Sequence, residues 1–271
     1  MTTLSQLGEL GLLAELERRA LIVGTEHDAA RVDELVLTQD ALVEGVHFRL
    51  DRLSWRELGF RAAAVNLSDL AASGAAPRGL LVTLALPGET AVDDVLAFYE
   101  GIAETGVQVI GGDTTAAPAV VVSVTALGRA ERVPGRAGAQ PGDLLVVTGP
   151  LGAAGAAFRA GRYLRPPLRL AEGARLAKTA HALLDLSDGI AVDAGHIARR
   201  SSVRCIVELD RVPRAPGAEL ADLGFGEDYE LLAATAEPES FAVVGRVEAG
   251  EGVELLLHGE PYELAGFEHY R

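Results

Sequence analysis

The stretch Ala64-Val65-Asn66-Leu67-Ser68-Asp69-Leu70-Ala71-Ala72-Ser73-Gly74-Ala75-Ala76-Pro77 constrains this chain more than any other. Its apolar spacing is that of a buried helix, yet Asn66, Ser68 and Asp69 sit among small residues. Ser54 with Glu57 three residues on is the capping-box pattern and places the helix start. Gly74 and Pro77 mark its stop. On such a helix Asn66, Asp69 and Ser73, at i, i+3 and i+7, share one face. A carboxylate among alanines and leucines is costly unless something pairs with it, and a metal ion is one such partner. A self-satisfied cap or turn aspartate is the other reading, and on this stretch alone the two stand level.

The rest of the 271 residues reads as alternating helices and strands. Residues 4–20 are predicted helical, with Leu4, Leu7, Leu10, Leu13 and Leu16 on one side. A turn at 24–30 holds His27 and Asp28, and a strand at 34–42 delivers Thr38, Gln39 and Asp40. After the Ser54 helix come a strand at 80–86, a helix at 90–104 with Thr90 as its N-cap, and a short buried strand at 107–110. That strand ends in Gly111-Gly112-Asp113-Thr114. A β-branched strand covers 120–127. Pro, Gly and charge cluster at 131–141, the best boundary between domains. Beyond it lie a strand at 144–147, helices to about residue 160 and at 168–181, and a strand running into Asp185-Leu186-Ser187-Asp188-Gly189. A helix to Arg200 and strands near 203–209, 230–234 and 241–247 complete the reading. Both halves mix helices and strands with short links, which gives an α+β fold in two domains, 1–135 and 136–271, each a mixed sheet with helices packed on it.

Charge narrows the partners. A formal net charge of −15 argues against a nucleic-acid backbone or an acidic membrane. The single cysteine, Cys205, excludes an internal disulfide framework and a cysteine-rich zinc site, and is expected to be a small buried hydrophobe. With no basic-then-apolar leader and no run of about 18 apolar residues, a cytoplasmic location is expected. The Gly-x-x-x-x-Gly-Lys phosphate loop, the Gly-x-Ser-x-Gly elbow and any His pair at i, i+4 are missing from the sequence. Six acidic residues at element ends remain: Asp28, Asp40, Asp69, Asp113, Asp185 and Asp188. Each neighbours small or Gly residues, where a backbone approaches a ligand closely. Oxygen-only ligands of this kind suit Mg²⁺, with Thr38 and Ser187 as possible hydroxyl donors.

Taken together, the motifs resemble those of the thiamine-monophosphate kinase family, within the wider group of ATP-using enzymes related to aminoimidazole ribonucleotide synthetase. The matching pieces are residues 40–48 (DALVEGVHF), Asn66 to Pro77, Gly111 to Thr114, residues 136–143 (RAGAQPGD), Asp185 to Gly189 and residues 226–231 (GEDYEL). They run in family order over nearly the whole chain. The resemblance implies direct transfer of the γ-phosphoryl of ATP to thiamine monophosphate, giving thiamine diphosphate, with several Mg²⁺ ions and no catalytic base. By carry-over, Asp28, Thr38, Gln39, Asp40, Asp69, Asp113, Asp185 and Asp188 fall at Mg²⁺ positions. Tyr99, Gly112, Arg136 and Ser187 fall at the nucleotide. His47, Glu227 and Phe267 fall at the thiamine site, Phe267 stacking on rings that are cationic at the thiazolium. The resemblance also implies a homodimer in which the N-terminal sheets pair into a barrel. Residues 1–135 would then bind ATP and Mg²⁺ and dimerise, and residues 136–271 would complete the active site.

The chain departs from the family pattern at named positions. Glu26 and His27 stand in the Gly24–Ala30 loop where the pattern has Gly and Asp. Gln39 replaces Thr, and Phe225 replaces the Gly that opens the Glu227 motif. The altered loop favours an alternative: a weakened or non-catalytic member that binds nucleotide or thiamine phosphate without turnover.

Overall fold

The computed structural model describes residues 3–23, 27–264 and 266, without the side chains of residues 9 and 10. Helix α1 (Leu4–Arg18) bends at Gly8 (φ 71°). Of its predicted leucine stripe, Leu4 and Leu7 do not enter a core but are exposed. Strand β1 (Ala30–Val32) pairs antiparallel with β2 (Leu35–Val43), so the predicted turn gives way to an edge strand at its last residue. Helix α2 (Trp55–Ala72) starts where its sequence says it should. Ser54 Oγ accepts the Glu57 N–H at 3.2 Å, and Glu57 Oε2 accepts the Ser54 N–H at 2.9 Å. It ends before Gly74, whose φ of +64° suits glycine.

Next come β3 (Ala76–Leu86), α3 (Val92–Ala103), β4 (Val109–Ala116) and β5 (Val121–Arg129). Thr90 does not cap α3. The N-cap is Ala91, which makes no side-chain cap bond, and Asp93 and Asp94 in the first turn favour the helix dipole instead. The strand predicted as short and buried at 107–110 is an edge strand. It runs on through Gly111, Gly112 and Asp113, pairing them with Leu81, Val82 and Thr83 of β3, and is exposed along nearly all its length. Consecutive glycines read as a loop signal, and here the neighbouring strand overrides it.

In the second half β6 (Leu144–Val147) leads to two one-to-two-turn helices, α4 (Ala153–Arg159) and α5 (Leu170–Leu176). The helix predicted at 168–181 is only seven residues long, because the chain turns back at Ala177 to Ala180 to enter β7. Then follow β7 (Ala182–Asp185), α6 (Ile190–Ser201), β8 (Arg204–Glu208), β9 (Leu231–Thr235), β10 (Ala242–Glu248), β11 (Gly252–Leu257) and β12 (Glu260–Pro261). Strands β11 and β12 have no counterpart in the sequence reading. Cys205, on β8, is fully buried.

The elements form two sheets, ordered β1-β2-β5-β3-β4 and β12-β11-β8-β10-β6-β9-β7. The architecture is the expected mixed α+β. In the first sheet Thr38 and Leu42 of β2, Val122 and Val124 of β5, and Val82 and Leu84 of β3 pack under α2 and α3. The opposite face is uncovered, leaving Leu35, Leu81 and Ile110 exposed. The second sheet packs one face on α6. On its other face Ala71 and Ala72 of α2 meet Leu176 of α5, Leu183 of β7 and Ala233 of β9. Helix α2 is therefore a wedge touching both sheets.

Glycine makes the wedge fit. A Cβ at Gly59 would overlap the Phe98 carbonyl on α3, and one at Gly173 would overlap the Ala71 carbonyl on α2. Substituting Gly59→Ala is expected to destabilise the chain by about 1–3 kcal/mol through overpacking, measured as a lowered midpoint in urea unfolding. An unchanged midpoint would show that α2 and α3 can separate freely.

Candidate active site

The wedge brings three segments to one seam. From β2 come Thr38 and Asp40, from α2 Asn66, Ser68 and Asp69, and from the end of β7 Asp185, followed by Ser187 and Asp188 in the turn into α6. Asp28 and Arg136 approach from outside. Carboxylate oxygens of Asp28, Asp69 and Asp185 lie within 4.8 Å of one another.

Several of these groups are held by a neighbour. Thr38 Oγ1 donates to Asp69 Oδ2, so Thr38 orients a carboxylate. Ser68 Oγ donates to Asp185 Oδ2 at 2.6 Å, joining α2 to the second sheet. Asn66 donates to the Ala62 carbonyl at 3.0 Å and accepts the Asp40 N–H at 3.1 Å. Arg136 clasps Asp28 through two guanidinium nitrogens, Nε at 2.7 Å.

Burial makes these acids reluctant to ionise. It pushes Asp185 up to about 8 and Asp40 up to about 6, each raised further by the charge on Asp28. Burial also lifts Asp69 well above the ordinary carboxylate value, reinforced by Asp185 and Asp40. Asp28 is raised by burial against the pull of Arg136. Buried carboxylates this close cannot all carry charge without a cation among them. An all-oxygen donor set suits a hard divalent ion such as Mg²⁺.

Ligand atoms of Asp188, Asp193 and His196 form a second group within 4.8 Å. Asp193 Oδ2 accepts the Asp188 N–H at 3.1 Å, and burial lowers His196 to about 4, leaving the ring neutral. The sequence reading missed Asp193 and His196, although their i, i+3 spacing on the helix after Asp188 was a signal.

Two cavities open on the seam. One, of about 650 Å³, includes His47, Phe158, Tyr163, Phe225 and Glu227 in its walls. The other, of about 590 Å³, is polar and includes His27, Asp28 and Arg136. Asp40, Asp69, Asp185, Ser187 and Asp188 line both, so the carboxylates form the shared wall. His47 Nδ1 accepts the Val43 N–H at 3.0 Å. His27 Nδ1 is buried without a hydrogen-bond partner among the described residues.

Glu227 sits in an unusual backbone run. Gly226, Glu227 and Tyr229 all have positive φ (82°, 59° and 53°), a conformation that non-glycine residues adopt under constraint. The alternation sends successive acids apart. Glu227 pairs with Arg61. Asp228 accepts the N–H groups of Gly152 and Ala154 at 2.6 and 2.9 Å, capping α4. Glu230 takes Arg169 in a fork at 2.6 and 2.7 Å. Arg61 itself is 1% exposed on α2, with Tyr163 and Tyr229 flanking its guanidinium at 5.6 and 5.8 Å. It anchors three cavity-lining residues from behind. A lone arginine in the apolar run from Leu58 to Ala64 was the sequence signal for it.

Other carried-over residues lie elsewhere within one chain. Tyr99, on α3, packs edge-on to Phe98 at 5.5 Å, against the first core. Gly112 and Asp113 stand on β4, three strands from β2, about 14 Å at the usual strand spacing. Gln39 is exposed on the sheet face opposite Asp40, donates to Ser123 Oγ at 3.0 Å and lines the polar cavity. Phe267 lies outside the described residues.

Residues 26–130 match the family model for the N-terminal domain of AIR synthase related proteins. Thiamine-monophosphate kinase of Aquifex aeolicus is 32% identical, covering 98% of this chain and 99% of that one. The Rhodopirellula baltica enzyme of the same name is 36% identical over 84% of this chain and 80% of its own length. The structure of AaThiL complexed with AMPPCP and TMP superposes with a TM-score of 0.90 at 32% identity, covering 99% of both chains. With relatives this similar over nearly its full length, the chain belongs to the thiamine-monophosphate kinase family.

Proposed function

We propose that this chain transfers the γ-phosphoryl group of ATP directly to the phosphate of thiamine monophosphate, yielding thiamine diphosphate and ADP in the cytoplasm. The observation that carries the proposal is the shared carboxylate wall between a polar and an aromatic-lined cavity. The polar cavity, with Arg136, suits a polyphosphate, while the other, with His47 and Glu227, suits a ring system bearing a phosphate. Both phosphate ends would then meet at the seam. An acceptor phosphate oxygen is already anionic near neutral pH, its second pKa being about 6, so no general base is needed. The new bond joins that oxygen to the γ-phosphorus as the bond to the ADP oxygen breaks.

The residues present fit Mg²⁺. Asp28, Asp69 and Asp185 would hold it, with Asp40 and Asp188 alongside. When bound, it supplies charge neutralisation and a template for the phosphate oxygens. Thr38 and Ser68 keep two of the carboxylates aimed at the seam. Arg136, released from Asp28, would grip a phosphate, and Ser187 would contact the same group. The uncovered face of the first sheet supports pairing of two such sheets across a homodimer into a barrel, through which Gly112 and Asp113 would enter the partner's site. Residues 1–135 would bind nucleotide and dimerise, and residues 136–271 would complete the site.

Three outcomes are expected. With ATP and Mg²⁺, thiamine diphosphate forms only when thiamine monophosphate is present, and Asp69→Asn lowers kcat on the order of 10²–10³-fold, the scale of losing an electrostatic stabiliser. Binding of both ligands by calorimetry without turnover would establish the non-catalytic alternative. Second, the raised carboxyls bind protons longer in the folded than in the unfolded chain. Stability of the metal-free protein therefore falls as pH rises from about 4 to about 8 and levels off above that. Mg²⁺ should raise the melting temperature more at pH 8 than at pH 5, read by calorimetry against an EDTA control. Equal shifts at both pH values would count against the buried cluster as the binding site. Third, Leu81→Lys on the open sheet face should shift the sedimentation coefficient from dimer to monomer.

A further inference from the structure

We infer that Phe158 and Phe225 form the surface on which this chain recognises a planar organic cation, and that they set its preference for a charged over a neutral ring. The inference rests on the kinase reading above for the identity of the ligand, the thiazolium of thiamine monophosphate.

The two rings lie 5.2 Å apart, centroid to centroid, with 36° between their planes, and Phe158 meets Tyr163 at 6.3 Å. A third ring inserted between two others needs about 7 Å, twice a carbon–carbon contact. The rings are thus in contact with each other and make a continuous wall, against which a flat ligand lies. Phe158 is 43% exposed at the end of α4, large and apolar at a cavity edge where no core needs it.

Asp40, Asp69, Asp185, Asp188 and Glu227 line the same cavity. A ring with delocalised positive charge that lays its π-face on the two phenyl rings gains an attraction to their quadrupoles that a neutral ring does not. One cation contact already exists on this wall: the Arg52 guanidinium carbon is 5.9 Å from the Phe158 ring centre. The nearby tyrosines are engaged from behind by Arg61. Phe225 is the ring over which, among the described residues, no cation stands.

Position ties Phe225 to the reaction seam. Its neighbour Gly226 approaches the Ser187 carbonyl so closely that a Cβ would overlap it, and the Glu227 N–H donates to that carbonyl at 2.8 Å. Ser187 lines both cavities, so the aromatic wall is fixed relative to the phosphate-meeting point.

The test is titration calorimetry of the full chain with thiamine itself, beside its neutral oxidised counterpart thiochrome. Phe225→Leu and Phe158→Leu should each weaken thiamine binding about two- to fivefold, the range of a partly exposed cation–π contact. Thiochrome binding should change less. Phe225→Tyr, which keeps a π-face, should restore thiamine binding. In turnover, the KM for thiamine monophosphate should rise in the leucine variants while the KM for ATP stays. No binding of thiamine to the native chain, unchanged affinity in both leucine variants, or equal losses for thiamine and thiochrome would overturn the inference. A native chain that binds thiamine with the expected variant pattern but makes no thiamine diphosphate would overturn the kinase reading and leave the wall standing.

Discussion

Several carboxylates are crowded together, half-buried or buried, where two sheets meet, and much of the structure accommodates that cost. Helix α2 supplies one of them, Asp69, and braces another, Asp185, through Ser68. To reach both sheets, the helix has to be thin. Its alanines at 62–64 and 71–72 and its glycine at 59 permit that approach, as does Gly173 on α5. A bulkier helix would part the sheets and let water between the acids. The low aromatic content, 5% of the chain, is the compositional trace of this close packing.

Charge is distributed unevenly around the seam. On the polar side Arg136 neutralises Asp28, and on the other side Arg61 neutralises Glu227 from within the protein. Each arginine crosses from one half of the chain to the other. Removing one partner of such a buried pair is typically more damaging than replacing both, because an uncompensated charge remains. The left-handed residues between Gly226 and Tyr229 belong to the same scheme. They fan three consecutive polar interactions toward three different elements: Arg61 on α2, the start of α4, and Arg169 before α5.

Local physics was legible in the sequence. The start and stop of α2 follow from Ser54, Glu57 and Gly74, the strands near 144, 203 and 242 follow from apolar runs containing β-branched residues, and the strand near 231 from a short apolar run. Features decided by distant neighbours were not. Strand β4 contains two glycines and exists because β3 offers it a ladder. The leucines of α1 have helical spacing, but among the described residues Leu4 and Leu7 are left exposed. At the site, aspartates beside glycine or small residues at element ends were visible one by one, and the structure gathers Asp28, Asp40, Asp69, Asp185 and Asp188 at one seam. Phe158 carries no local mark of purpose, and the lone arginine at 61 in an apolar run marks a buried charge without naming its partners, which lie far away in the sequence. Tyr99 and Gly112 came from family order alone, which does not say whether a residue serves its own chain or a second copy.

The clasp between Arg136 and Asp28 has a thermodynamic corollary. Each occupies the other, the guanidinium holding the oxygen that a cation would take and the carboxylate holding the nitrogens that a phosphate would take. On the proposed reading, whichever ligand arrived first would have to open the pair, and the second would then find its own partner already released. Metal and nucleotide would help each other bind even where they do not touch, and by linkage the assistance would be equal in both directions. A single ion pair would act as an interlock that disfavours half-loaded states and favours the fully charged one.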